Sequence, residues 1–358
     1  MLLANDPRHA QWAETAAALG LGAYLPVGVF DLRATFKTLK RCIGTAAPRP
    51  NVWSWMFGKR GKTEVLVAAQ VRQPDNQVMT SVVARIDPPL FLGIEAWRQP
   101  HGMYEGRSWA PDRMAALLSR APTALMALAN IPGASTSVIS DSTVIVNFPR
   151  IAADVQELGY ALDTAVNAAN ALVEARRGLP KSDGERNQET TWQSFASENS
   201  LSFDVERLEI SGTVAAGKMR IALEGEPFCA MTTINVDFPG RLNLGLSITR
   251  QQMPGMMGSL FGVVDLPTGD PYFDEAFIVR GSPPQAVQQM LWNNPPLRQT
   301  ILELGLASRG FEINDGHLFA QYVTPMATTN ELRGVRDRVA ALVGALFPGV
   351  SQAAGPYR

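Results

Sequence analysis

Two stretches of the chain place apolar and polar residues in the same order over the same length. Met79 to Gln99 is MTSVVARIDPPLFLGIEAWRQ, and Met231 to Gln251 is MTTINVDFPGRLNLGLSITRQ. In each, apolar runs flank a Pro-containing turn, which predicts two sheet-forming strands joined by a turn. Because internal similarity constrains the whole architecture, this pattern predicts a tandem of two related modules.

The part of the first module that precedes its repeated stretch is longer than the corresponding part of the second module. Trp12 and Trp192 each lie on a segment with helical apolar spacing, and they are 180 residues apart. Met79 and Met231 are only 152 residues apart. The difference of 28 residues predicts an insertion in the first module, within residues 24–62.

The similarity continues to the end of each module. Asp141 and Asp315 fall at predicted hairpin turns. The spacing between them also relates two amphipathic closing helices, in which the paired positions are Leu158 with Leu332 and Leu172 with Leu346. Each module is therefore predicted to run helix, hairpin, two more strands, Pro-interrupted helix, hairpin and long helix.

This order predicts an α+β fold: a tandem pair of related domains, each an antiparallel sheet with helices packed on one face and a long C-terminal helix. We predict a first repeat over residues 1–177, with a basic insertion at about 24–62. A polar, Gly- and Pro-bearing linker is predicted over residues 178–189. The second repeat follows over 190–348, and a frayed tail over 349–358.

The composition is that of an ordinary globular protein, with 46% apolar and 18% charged residues and a net charge of −1. The near-neutral charge argues against a nucleic-acid partner. Cys42 and Cys229 are the two cysteines, too few for a disulfide framework or a Cys-rich zinc site. Neither a secretory signal nor an apolar run of about 20 residues is evident, so we expect a cytoplasmic protein without a transmembrane segment.

A basic segment with aromatic residues is the first candidate interaction surface. From Asp31 to Lys62 there are eight Lys or Arg residues and one acid. The candidate partner-binding residues are Lys37, Lys40, Arg41, Trp53, Trp55, Lys59 and Arg60. They could contact an anionic membrane face, RNA or an acidic protein. Alternatively, Trp53, Trp55 and Phe57 belong to the core of an edge strand, and the cations form a solvated face.

A methionine-rich loop is the second candidate surface, with Met253, Met256, Met257 and Phe261 as its candidate residues. Flexible Met side chains suit adaptable binding surfaces. They equally fill irregular gaps beneath a loop, and both interpretations stay open.

An acidic motif, TGDPYFDEAFIVRG from Thr268 to Gly281, occurs only in the second module. With the Trp-x-x-Phe-Ala segment at Trp192, it resembles a family of uncharacterised bacterial domains, which implies no activity. Candidate metal ligands are Asp265, Asp270, Asp274 and Glu275, because carboxylate oxygens suit divalent cations. The alternative is a turn at Asp270, with Phe273 and Phe277 anchoring the strand that follows. We predict neither a metal nor a cofactor.

Motifs for catalysis are weak. Neither a nucleophile elbow nor a zinc-protease motif is present. Cys42 lies beside Lys40 and Arg41, which could lower its pKa, but a plain thiol packed against the core is the favoured interpretation. The leading hypothesis is a non-catalytic interaction or scaffold protein, an adaptor whose partner is another protein. A carrier of a lipid or small apolar ligand between helix and sheet is the alternative. A metal-dependent hydrolase using Asp270, Asp274 and His317 is a third.

Overall fold

The computed structural model describes residues 7–24, 52–72, 77–226, 229–251 and 265–351. The chain divides into two compact units. One covers Met1–Pro180 and Gly225–Cys229, and the other covers Lys181–Glu224 and Ala230–Arg358. Within the described ranges, no helix has both the length and the apolar character needed to cross a bilayer.

The first module is built from four helices and eight strands within the described residues. They are α1 (Pro7–Ala18), β1 (Gly22–Tyr24), β2 (Val52–Arg60), β3 (Thr63–Arg72), β4 (Gln77–Arg85), β5 (Glu95–Arg98), β6 (Tyr104–Arg107), α2 (Pro111–Ser119), α3 (Pro122–Ala129), β7 (Thr136–Ser140), β8 (Thr143–Phe148) and α4 (Val155–Arg177). The strands form one sheet in the order β1-β2-β3-β4-β8-β7-β5-β6.

The second module repeats this plan. Its elements are α5 (Asp183–Glu198), β9 (Ser202–Asp204), β10 (Glu209–Val214), β11 (Gly217–Glu226), β12 (Cys229–Asp237), β13 (Ser247–Arg250), α6 (Pro271–Ala276), β14 (Phe277–Arg280), α7 (Pro284–Trp292), α8 (Pro295–Leu306), β15 (Gly310–Asn314), β16 (His317–Tyr322), α9 (Thr329–Leu346) and α10 (Pro348–Ser351). Read from β9, its sheet order is β9-β10-β11-β12-β16-β15-β13-β14, the same topology. The predicted α+β fold with a tandem pair of antiparallel sheets is confirmed.

The repeated stretches do form strands, but the two strands of each stretch are not neighbours in the sheet. In the first module β8 and β7 lie between β4 and β5, and in the second β16 and β15 lie between β12 and β13. The Pro-containing segment is therefore a loop that passes the end of a hairpin. Its backbone groups cannot pair with an adjacent strand, so they need other hydrogen-bond partners.

One buried carboxylate supplies those partners in the first module. Asp141, in the β7–β8 turn, accepts hydrogen bonds from the backbone N–H groups of Leu92, Gly93 and Ile94 at 2.9, 2.7 and 3.3 Å. Asp141 is 2% exposed. Gly93 has a φ of 60°, a left-handed conformation that glycine adopts without strain. The loop is thus tied to the hairpin turn that it passes.

Asp315 makes the same contacts in the second module. It accepts from the N–H groups of Leu244, Gly245 and Leu246 at 3.1, 2.9 and 2.9 Å. Gly245 has a φ of 51°. These loop residues occupy the same places in the repeated stretch as those bound by Asp141. The sequence similarity is therefore also a similarity of hydrogen bonding.

A buried threonine forms a second repeated connection. In the first module, Thr80 Oγ1 donates to the carbonyl of Arg150 and accepts from the N–H of Ala152, both at 2.9 Å. In the second module, the hydroxyl of Thr232 donates to the carbonyl of Thr324 at 3.2 Å and accepts from the N–H of Met326 at 2.9 Å. Each threonine joins an inner strand to the segment that enters the long helix.

Burial of apolar side chains holds the helices on one face of each sheet. Strand residues alternate in direction, so Met56, Val65 and Val82 face the helices. They share a core with Leu158 and Leu162 of α4. In α9 the predicted apolar stripe is buried throughout, at Leu332, Val335, Val339, Leu342, Val343 and Leu346. Trp12 and Trp192, the paired tryptophans of the first helices, are 2% and 0% exposed.

Helices occupy part of two predicted boundary segments. The predicted linker, 178–189, is helical from Asp183 onward. Ser182 and Glu185 form a capping box there, which satisfies free N–H groups of the first turn and starts α5 earlier than expected. The predicted tail, 349–358, begins inside α10, and residues 352–358 lie outside the described residues.

We expect Asp141→Asn and Asp315→Asn each to lower the free energy of unfolding by about 2 kcal/mol at pH 7. The amide nitrogen cannot accept the hydrogen bond that the second carboxylate oxygen takes from Gly93 or Gly245. Urea unfolding followed by circular dichroism measures the change. Asp154→Asn is the control, because Asp154 caps α4 and Asn is an equally good cap. Equal losses in all three variants would contradict this role for the two aspartates.

Candidate functional site

The acidic motif of the second module holds its own turn and helix together. Asp270 caps α6 by accepting from the N–H groups of Tyr272 and Phe273, and it pairs with Arg298 at 3.3 Å. The N–H of Phe273, then the bonded guanidinium of Arg298, hold the pKa of Asp270 below its ordinary value. Asp274 Oδ1 accepts from the N–H and the hydroxyl of Thr268.

Asp265 and Glu275 are the remaining candidate metal ligands. Asp265 Oδ1 accepts from the N–H of Val279 at 2.8 Å, and burial raises its pKa. Glu275 lies in the same helix, α6. Across the described ranges, His, Cys, Asp and Glu side chains form no group of three or more that could hold a metal ion. Phe273 and Phe277 are both fully buried, with ring centroids 5.1 Å apart, as the turn-and-anchor interpretation expects.

His317 and His101 each lie beside an exposed acid. His317 Nδ1 is 3.1 Å from Oδ1 of Asp237, across the β12–β16 pair. His101 Nε2 is 4.0 Å from the carboxylate of Glu105, and both side chains are exposed. Neither contact has the buried, oriented geometry of a catalytic pair.

Asp141 has the strongly perturbed pKa that often marks an active site. Burial raises its pKa to about 6, against the opposing effects of its three N–H donors and of Arg176. Both oxygens are taken up by the backbone of the 92–94 loop. Its role is therefore structural.

Only some of the candidate surface residues lie in the part of the chain that the structure describes. Lys37, Lys40 and Arg41 lie outside the described residues, as do Cys42, Met253, Met256, Met257 and Phe261. Trp53 belongs to β2, but its side chain is not described. Trp55 is 3% exposed and packs with Leu66, Ala68 and Val83. It therefore lies among buried residues, but β2 pairs with both β1 and β3 and is not the edge strand of that alternative. Lys59 is exposed at the end of the same strand.

A polar groove lies where the β2–β3 hairpin meets α4. Its volume is about 690 Å³, and its lining residues are Arg60, Gly61, Lys62, Thr63, Asp163, Val166, Asn167 and Asn170. Gly61 has a φ of 59° in the two-residue turn, a conformation that favours glycine. On α4, Asp163, Asn167 and Asn170 follow helical spacing, so they form one exposed stripe beside the hairpin.

The groove contains one ion pair and one weak hydrogen bond. Arg60 Nε lies 3.1 Å from Asp163 Oδ1. The two atoms are close but poorly aligned, and Nε makes no hydrogen bond among the described residues. Thr63 Oγ1 donates to Asn170 Oδ1 at 3.4 Å. Lys62 is exposed and has no ion pair with any residue in the described ranges.

The second module has the same framework at this place without the polar groups. The hairpin pairs Val214 with Gly217 where the first module pairs Arg60 with Thr63, and its turn is Ala215-Ala216. On α9, the positions equivalent to Asn167 and Asn170 are Ala341 and Gly344. Only the acid is kept, as Asp337, and it binds the adjacent Arg336 at 2.9 Å. The polar groove therefore belongs to the first module alone.

The sequence pattern predicts Arg60 as a site residue but not the rest of this groove. Lys62 was counted only as part of the basic segment, and Asp163, Asn167 and Asn170 were not singled out. An alignment of the closing helices of the two modules singles out these residues, since it places the two asparagines opposite Ala341 and Gly344. Only the fold shows that they meet the hairpin.

Comparison with known proteins finds no protein-family model that matches the chain and no curated protein that matches it. A solved structure, that of the mycobacterial trehalose monomycolate transport factor A, is 13% identical with a TM-score of 0.31. The match covers 49% of this chain and 97% of that chain. At this level of similarity it carries no argument about fold or function.

We expect the contribution of Asp141 to stability to depend on pH between about 4 and 6. Its folded pKa of about 6 lies above the unfolded value of 3.8, so the folded state binds the extra proton. Its contribution is full below pH 4 and falls by about 3 kcal/mol as pH rises through 6. The measurement is the difference in unfolding free energy between the wild-type chain and Asp141→Asn at several pH values. A difference that stays constant from pH 4 to 7 would contradict it.

Proposed function

We propose that this protein is a non-catalytic binding protein whose first module contacts an acidic protein partner. The observation that carries the proposal is the cluster of three cations at the end of the β2–β3 hairpin, where the second module has Thr213, Val214 and Ala216 at the equivalent positions. Lys59 and Lys62 are both exposed there, and Arg60 lies between them. Long cationic side chains on an exposed turn favour electrostatic association with an acidic surface.

The placement of the candidate catalytic groups supports a binding role. The acids of the second module cap helices or accept backbone N–H groups, as Asp270, Asp274 and Asp265 do. A carboxylate that already holds several fixed donors is poorly suited to moving a proton or binding a metal. The polar groups that are specific to one module lie instead at an open groove, where a ligand can approach.

The packing of helix on sheet favours the interaction hypothesis over the carrier alternative. A carrier needs apolar space between α4 and the sheet. In the first module Leu158, Leu162 and Ala165 of α4 are fully buried in one cluster with Val82 and Val144 of the strands. The groove beside them has a mostly polar lining. The described residues thus offer a polar contact site to a partner.

Charge reversal tests the proposal. We expect Lys59→Glu combined with Lys62→Glu to lower capture of the partner from a cell extract by about tenfold, because attraction becomes repulsion. Capture is measured with tagged, cross-linked protein and quantitative mass spectrometry, and each variant is first checked for unchanged thermal unfolding.

Lys218→Glu is the matched control, since Lys218 is an exposed lysine on the equivalent hairpin of the second module. The control variant should capture the same protein as the wild-type chain. If the double variant of the first module captures it equally well, this surface is not the contact. A combined Lys37→Glu, Lys40→Glu and Arg41→Glu variant extends the test to the rest of the basic segment.

A further inference from the structure

The groove beside α4 gathers hydrogen-bond donors that the fold does not fully use. Arg60 lines the groove with its guanidinium, whose Nε is buried within 3.1 Å of Asp163 and is not aligned to donate to it. Asn170 accepts from Thr63 with its oxygen, so its amide nitrogen is left as a donor. Asn167 and Lys62 line the same groove and are exposed. A ligand that accepts several hydrogen bonds would match this set.

The charge of the groove favours an anionic ligand. Its lining contains two cations, Arg60 and Lys62, and one acid, Asp163. The acid is 60% exposed on its side chain and sits against Arg60 on the α4 side. Guanidinium and ammonium groups near amide donors are the usual recognition set for oxyanions.

Duplication provides an internal comparison for this groove. In the second module every lining residue that carries a donor side chain is replaced by Val, Ala or Gly, while the hairpin and the helix remain. The fold therefore does not need these polar groups for its own stability. Their concentration at one place in the first module is explained by a ligand.

We propose that this groove binds a phosphoryl group carried by the protein partner, an inference that rests on the proposed function. A phosphoryl group has three terminal oxygens and close to two negative charges at neutral pH, against two oxygens and one charge for a carboxylate. Four donor side chains, Arg60, Lys62, Asn167 and Asn170, therefore match a phosphoryl group better. The groove, at about 690 Å³, also has room for the residue that carries it.

The first test is a calorimetric titration of the purified chain with O-phosphoserine and with inorganic phosphate at low salt. Serine is the ligand control. We expect saturable binding of both phosphorylated probes with a dissociation constant of about 1 mM, and none of serine. Lys62→Ala and Asn167→Ala should each weaken binding about five- to tenfold. Asn167→Ala places in α4 the residue that α9 already has as Ala341, so the fold accepts it.

Lys218→Ala is the matched protein control and should bind as the wild-type chain does. The proposal is overturned if the probes do not bind saturably, or if Lys62→Ala and Asn167→Ala bind as tightly as the wild type. It is also overturned if Lys218→Ala weakens binding as much as Lys62→Ala, because that result indicates only general attraction to a cationic surface.

We expect a second variant to bind more tightly, a result that general damage to the fold would not produce. Asp163→Asn removes the one negative charge from the lining and frees Arg60 to donate to the ligand. We expect the affinity for O-phosphoserine to rise about threefold at low salt and the gain to shrink at high salt, where charges are screened. An unchanged or lower affinity would oppose the assignment of Arg60 and Asp163 to this site.

Failure of this inference can be told apart from failure of the proposed function. If Lys59→Glu with Lys62→Glu abolishes partner capture and O-phosphoserine does not bind, the basic surface stands and the phosphoryl site is rejected. If O-phosphoserine binds in the groove but charge reversal leaves partner capture unchanged, the proposed protein contact is rejected, and with it the assignment of the phosphoryl group to that partner.

Discussion

One carboxylate in each module ties the passing loop of its sheet to a hairpin turn. The chain has to leave an inner strand, pass the end of a hairpin and enter the far part of the sheet, so the passing loop has no strand to pair with. Asp141 and Asp315 accept the N–H groups that this route leaves unpaired. A buried N–H without an acceptor costs free energy comparable to a lost hydrogen bond, and three adjacent ones would oppose the topology. The passing loop and the hairpin are therefore joined by this side chain and by backbone hydrogen bonds, from Leu90 N–H to the carbonyl of Asp141 and from Leu242 N–H to that of Asp315.

This coupling explains which features the two modules share. The aspartates, the left-handed glycines Gly93 and Gly245, and the threonines that tie strand to helix recur because the same route needs the same partners. A further close approach recurs as well. A Cβ at Gly58 would lie 2.7 Å from Leu21 Cδ2, and one at Gly212 would lie 2.5 Å from Leu201 Cδ2. Surface positions are not bound by such requirements, so the modules differ there, most clearly at the groove beside α4 and in the acidic motif.

The repeated stretches, the Pro-interrupted helices, the hairpin turns and the stripe of α9 could all be predicted, because each depends on local periodicity or on similarity within the chain. The acidic motif was harder. Asp270 and Asp274 have the residue types of a metal site. Carboxylate oxygens, however, serve both as metal ligands and as helix caps, and the spacing of the residues does not distinguish the two roles. Asp183 to Glu189 is polar enough to suggest a linker, whereas the capping box at Ser182 makes this segment a helix.

By itself, the sequence determined that the chain holds two related α+β modules and that the first carries extra basic residues, since both facts follow from comparing one segment of the chain with another. Only the tertiary structure decided that β4 and β5 are separated by another hairpin, that Trp55 is buried, and that Arg60 meets Asp163 and Thr63 meets Asn170. Those contacts join residues about a hundred positions apart in the chain. Hydrophobic periodicity assigns a face to each element, but the partner of that face depends on how the sheet is ordered. In this protein that order requires a passing loop, which Asp141 and Asp315 hold in place.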